Sequence, residues 1–110
     1  MSVAIDPRVA TFIDSQHGLL IDGHSQPALS GERMAVYNPA SGEQLAEVAA
    51  AAQADIDLAV SAARRAFEGS WKAQRPADRE RLLLKLADLL EANGEELAQL
   101  ETLNNGQSIH

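Results

Sequence analysis

The chain has 110 residues, nine Lys and Arg against sixteen Asp and Glu for a net charge of −7, and no cysteine. That length suits one small domain or a piece of a larger one. The acidic balance argues against a nucleic-acid surface and disfavours anionic membranes, and the lack of cysteine excludes disulfides and thiolate metal sites.

Residues Ser2 to Gln16 read as a loose arm or short helix, with Val9, Phe12 and Ile13 at helical spacing so that one apolar stripe can dock. This stretch lacks a basic start followed by an apolar run, so a secretory signal is not expected and a cytoplasmic protein is the default reading. No run approaches the ~20 apolar residues needed to span a bilayer. Gly18 to Ile21 reads as a strand, and Asp22-Gly23 is a strong hairpin signal because glycine tolerates positive φ. Ser25 to Gly31 reads as a loop. Arg33 to Tyr37 alternates like a strand, with Met34 and Val36 on one face. Asn38-Pro39 and Ser41-Gly42 then turn the chain into a further strand, Gln44 to Val48. An antiparallel meander is the expected result.

The first long helix is expected from Gln53 to Glu68, with an apolar stripe of Ile56, Val60, Ala63 and Phe67. Acidic residues at its start and Arg64 and Arg65 near its end suit the helix dipole, and Gly69 is the expected stop. The only tryptophan, Trp71, is expected to bury its ring in the gap before the next helix. That helix begins near Pro76, since a first helical position needs no N–H. Leu82, Leu83, Leu86, Leu89 and Leu90 give it a wide apolar face, and Asn93-Gly94 should end it. A third helix is expected from Glu95 to about Leu103, with Leu97, Leu100 and Leu103 on one side, followed by a turn at Asn104-Asn105-Gly106.

Motifs that carry chemistry are missing. Neither G-x-G-x-x-G nor G-x-x-x-x-G-K-[ST] occurs, so no phosphate loop is expected. His17, His24 and His110 show no metal-ligand spacing with one another or with carboxylates. The carboxylates lie on helix faces opposite the leucines, where they read as solvated.

The order of the turns and helices is more telling than any one of them. Asn38 to Glu43, Ala62 to Phe67, Trp71, Arg79 to Asp88 and Leu100 to Gln107 together resemble the amino-terminal segment of NAD(P)-dependent aldehyde dehydrogenases. Phe12 to Gly23 and Arg75 to Arg81 further resemble the bacterial phenylacetaldehyde dehydrogenases. The resemblance implies an α/β fold: a β-hairpin or meander followed by three helices, leading into a Rossmann-like cofactor domain. Residues 1–17 would be an arm and 18–110 a partial cofactor domain, without the catalytic and oligomerisation domains.

In that family a cysteine thiolate attacks the aldehyde, hydride passes to NAD(P)+, and a glutamate-activated water releases the acid. The cysteine, the glutamate, the oxyanion-hole asparagine and the cofactor-binding lysine lie downstream of such a segment. The chain is therefore expected to hold no catalytic and no cofactor-binding residue, to be inactive alone, and to need the remainder of a parent that forms a homodimer or homotetramer. One family site does reach it, a structural monovalent cation (K+ or Na+) held by backbone carbonyls and a turn side chain. By resemblance its ligand positions are Val36, Tyr37 and Asn104. Asn104 is an amide where the family commonly has a carboxylate, Gln107 replaces a lysine, and Ala52 stands where an Asp often caps the first long helix. Composition alone also permits a different protein: a non-catalytic helical module binding a partner through its leucine faces, or a truncated subunit docking on a full-length one.

Overall fold

The computed structural model describes residues 4–108. It places eight elements in chain order: α1 (Pro7–Asp14), β1 (Leu19–Ile21), β2 (His24–Gln26), β3 (Arg33–Tyr37), β4 (Gln44–Ala49), α2 (Gln53–Glu68), α3 (Pro76–Ala92) and α4 (Gly94–Asn105). The arm is a helix because Asp6 caps it, accepting the Arg8 N–H at 2.8 Å, and Pro7 opens its first turn.

The expected meander is instead two separate two-stranded antiparallel sheets. β1 pairs with β2 across Asp22 and Gly23, whose φ values of 53° and 76° let two residues reverse the chain. Ser25 and Gln26, expected as the start of a loop, therefore belong to a strand, His24–Gln26. β3 pairs with β4 in a longer hairpin, with a break in register between Val36 and Tyr37. The sheets do not join because residues 27–32 leave the ladder to meet α2. There the Leu29 N–H donates to Asp55 Oδ1 and the Ala52 N–H to Asp55 Oδ2, both at 2.9 Å.

Asp55 is 1% exposed. It supplies what Ala52 lacks: its carboxylate turns back from the first turn of α2 to the backbone before it, half of a capping box. Of the expected stripe only Ala63 meets the hairpin: Ala62 is buried, and Ala59, Ala62, Ala63 and Ala66 face β1, while Val60 and Phe67 stay about 60% exposed. Small side chains let the β1–β2 hairpin lie close to the helix. Trp71 is likewise only partly covered: its ring faces the Arg79 guanidinium at 5.1 Å, and its carbonyl accepts from Arg79 Nη2 at 3.0 Å.

α3 starts at Pro76 as expected, with Asp78 accepting the Arg75 N–H at 3.1 Å. All five leucines of its apolar face are half or more exposed. Asn93 both ends α3 and begins α4: its N–H and Nδ2 donate to the Leu89 carbonyl, and its own carbonyl accepts the Leu97 N–H. Gly94 is thus already helical, and α4 runs on to Asn105. No helix among the described residues is long and apolar enough to cross a membrane.

The two N–H donors of Ala52 and Leu29 hold the Asp55 carboxyl below the ordinary carboxylate range, against the opposing effect of burial. A depressed folded-state pKa contributes stability that is full above about pH 4 and is lost as pH falls through the folded value. In the folded protein, acid should therefore release the amides of Leu29 and Ala52 to hydrogen exchange. Asp55→Ala should release them at neutral pH as well, while Asp55→Asn should keep one of the two protected.

Candidate cation site and the groove beside it

Between the β3–β4 hairpin, α1 and α4 lies a groove of about 450 Å³. Its walls are mainly apolar: Phe12 and Ile13 from α1, Val36 from β3, Leu45 from β4, and Leu97 and Leu100 from α4. Its polar edge is His17, Glu101 and Asn104. Two of the three expected cation-ligand positions, Val36 and Asn104, thus line one groove from opposite elements. Tyr37 follows Val36 on the strand, and its side chain is 58% exposed.

The backbone there is not a regular ladder. Val36 pairs with Ala46 but Tyr37 pairs with Gln44, so Leu45 is an extra residue on β4. Such a bulge disrupts the ladder locally, here beside Val36 and Tyr37. The turn beyond is held by its own polar side chains. The Ala40 N–H donates to Asn38 Oδ1 at 2.9 Å, the Asn38 N–H to the Glu43 carbonyl at 2.9 Å, and the Gly42 N–H to the Asn38 carbonyl at 2.8 Å.

The other wall ends on Gly106, which caps α4 with φ 77° and donates its N–H to the Thr102 carbonyl at 2.8 Å. A Cβ on Gly106 would sit 3.1 Å from Pro39 Cγ. The Asn-Pro turn and the Asn-Asn-Gly turn therefore touch, and glycine is what allows the approach. Asn104 is exposed, one turn before that contact. Next to it, Asn105 Nδ2 donates to Glu101 Oε1 at 3.2 Å. Of the three expected positions, Val36 and Asn104 share the groove lining, and Tyr37 is the next residue along β3. No cluster of three His, Asp or Glu side chains able to hold a metal occurs among the described residues.

Sequence reasoning gave Asp55 only a helix-dipole role and missed its burial. It also missed Asp6, Arg8, Glu95, Glu96 and Gln99, which tie α1 to α4. Asp55 has a readable signal, an Asp three residues after the helix boundary; the α1–α4 pairing has none, because its members lie about ninety residues apart.

An α/β chain of two hairpins and three long helices, with an Asn-Pro turn seated on an Asn-Asn-Gly turn, is the amino-terminal part of the aldehyde dehydrogenase fold. The description "Aldehyde dehydrogenase family" matches residues 26–110, and the chain belongs to that family. The NAD+ complex of an aldehyde dehydrogenase from Bacillus cereus superposes with a TM-score of 0.94 at 43% identity, over 99% of this chain and 22% of that one. The phenylacetaldehyde dehydrogenase of Pseudomonas fluorescens is 47% identical over 84% of this chain and 19% of its own length. The aminoacetaldehyde dehydrogenase of Pseudomonas aeruginosa is 45% identical over 92% of this chain and 21% of its own. The chain spans about a fifth of the length of the curated relatives it matches. The competing expectation, a helical module or docking truncation, finds no support in these similarities, and the leucine face of α3 has no cover of its own.

Replacing Gly106 by Ala should cost about 1–2 kcal/mol, the usual penalty of a left-handed non-glycine residue. Thermal unfolding of a full-length aldehyde dehydrogenase carrying this segment, with and without the change, measures it, and a shifted Pro39 environment should accompany the loss.

Proposed function

We propose that this chain is the amino-terminal segment of an NAD(P)-dependent aldehyde dehydrogenase whose parent oxidises an aldehyde to its carboxylic acid. The observation that carries the reading is uncovered surface. The chain exposes 8551 Å², against about 5,900 Å² for a globular monomer of its size. Its radius of gyration is 17.3 Å, against about 13 Å for a compact domain of 100 residues. The leucine face of α3 and the Val60–Phe67 side of α2 are apolar surface awaiting the rest of an aldehyde dehydrogenase chain. In this reading residues 1–17 are an arm and 18–110 lead into a cofactor domain. The parent is a cytoplasmic homodimer or homotetramer using NAD or NADP. An arylacetaldehyde is one substrate consistent with this reading, given the likeness to phenylacetaldehyde dehydrogenase, with aminoacetaldehyde dehydrogenase nearly as similar. A monovalent cation, K+ or Na+, would be held by the carbonyls of Val36 and Tyr37 and by the Asn104 amide, with further oxygens from the parent.

Alone, the chain should show no aldehyde-dependent NADH formation, having no cysteine to serve as the nucleophile. It should behave as an expanded or self-associating species with residual helix, since the conformational-entropy cost of order 100 kcal/mol is offset only by extensive burial. A chimera in which it replaces the matching fifth of the Bacillus cereus enzyme should oxidise aldehydes. A compact monomer with a sharp melt, or a chimera that folds but does not turn over, would sink the reading.

In the same chimera Asn104→Asp should strengthen the dependence of thermal stability on K+, because a carboxylate adds charge to an oxygen cage. An unchanged K+ dependence counts against the cation site.

A further inference from the structure

The contact between α1 and α4 is more elaborate than packing requires. Val9, at 0% exposure, is the most deeply buried apolar side chain of the described residues. The same pair of helices is joined by a run of polar contacts that leaves α4 at Glu95 and returns to it at Glu96. Glu95 Oε1 accepts from Gln99 Nε2 at 3.1 Å, which fixes the orientation of that amide. Gln99 Oε1 then accepts the Asp6 N–H at 2.9 Å. The Asp6 carboxylate takes two bonds from the Arg8 guanidinium, at 2.9 and 3.3 Å. Arg8 Nη1 returns to Glu96 Oε2 at 3.6 Å, on the same turn of α4 as Glu95. Asp6 and Arg8 lie outside residues 26–110, which the family description matches.

The position of this ring in the fold gives it a consequence. α1 packs on both α4 and β4. Just beyond α1, the His17 carbonyl accepts the Ala49 N–H at 2.9 Å, so the strap is stitched to the hairpin as well. Phe12 and Ile13 from α1 line the groove whose two other walls carry Val36 and Asn104.

We propose that the ring Glu95–Gln99–Asp6–Arg8–Glu96 is a clasp that makes α1 a strut between the two walls, so that Asp6, Arg8 and Gln99 are positioning residues for the Val36–Asn104 corner. The strut stands on the contacts above; its effect on a cation rests on the cation reading.

The test uses the full-length chimera with Gln99→Leu, which removes the acceptor and keeps the volume, and with the milder Arg8→Gln. Hydrogen exchange should rise by about three- to tenfold, the response of a local opening to one lost hydrogen bond. It should rise in residues 36–44 and 100–107 together, with α2 and α3 unchanged. A merely local role would raise exchange in residues 4–17 alone, and that result in both variants overturns the proposal. Thermal stability is titrated with K+ at constant ionic strength in parallel. A shift of the K+ midpoint to higher concentration in both variants, with stability recovered at saturating K+, supports the clasp acting on the site. An equal loss of stability at every K+ concentration, without coupled exchange, overturns it. If the chimera ignores K+ but both walls still loosen together, the cation reading fails and the strut stands.

Discussion

Among the described residues only Val9, Ala28 and Ala62 are buried apolar side chains. That scarcity governs the architecture. Hydrophobic burial is non-directional and roughly proportional to area, so three small or medium side chains cannot by themselves select one arrangement of four helices and two hairpins. Directional contacts do it instead, at the points where distant pieces of chain meet.

Each such point lies beside one of the buried side chains or at a turn. Asp55 binds the loop after β2 to the start of α2, next to Ala28, through two backbone N–H groups. A carboxylate is suited to this because it accepts at both oxygens, and a buried N–H left without a partner is costly. Gly106 lets α4 end against Pro39. Between α1 and α4 the part-buried contact is the Asp6 N–H to Gln99 Oε1. Exposed ion pairs such as Arg64–Glu68 and Arg65–Asp22, at 3.9 and 3.8 Å, hold long mobile side chains in water and each contributes little by itself.

The helices were legible in the sequence because their signals are local: Pro76 at a first turn, Asp78 two residues later, Gly69 and Gly106 at ends. The Asp22-Gly23 hairpin was legible for the same reason. The stripe Ile56, Val60, Ala63 and Phe67 was legible as the more apolar side of α2, but not that α2 would meet β1 through the alanines at 59, 62, 63 and 66. Periodicity reports where apolar area lies and not which partner covers it, and a helix between two layers has two faces to satisfy. The two-sheet arrangement escaped notice because it depends on Asp55 drawing residues 27–32 away from the ladder. At the candidate cation corner the residue types could be read by resemblance, while the bulge at Leu45 and the contact between the two turns are tertiary facts.

The same logic explains why this segment resembles relatives named for quite different aldehydes to nearly equal degree. An arylacetaldehyde and an aminoacetaldehyde differ in bulk and charge, and a site choosing between them must differ in lining. Yet the features that shape this segment are turns, caps and helix faces: Asn38-Pro39, the alanine face of α2, the leucines of α3, and Gly106. Those residues answer to backbone geometry and to the surface they must cover. A segment built this way is organised by backbone geometry, and its sequence reports the family more sharply than the substrate.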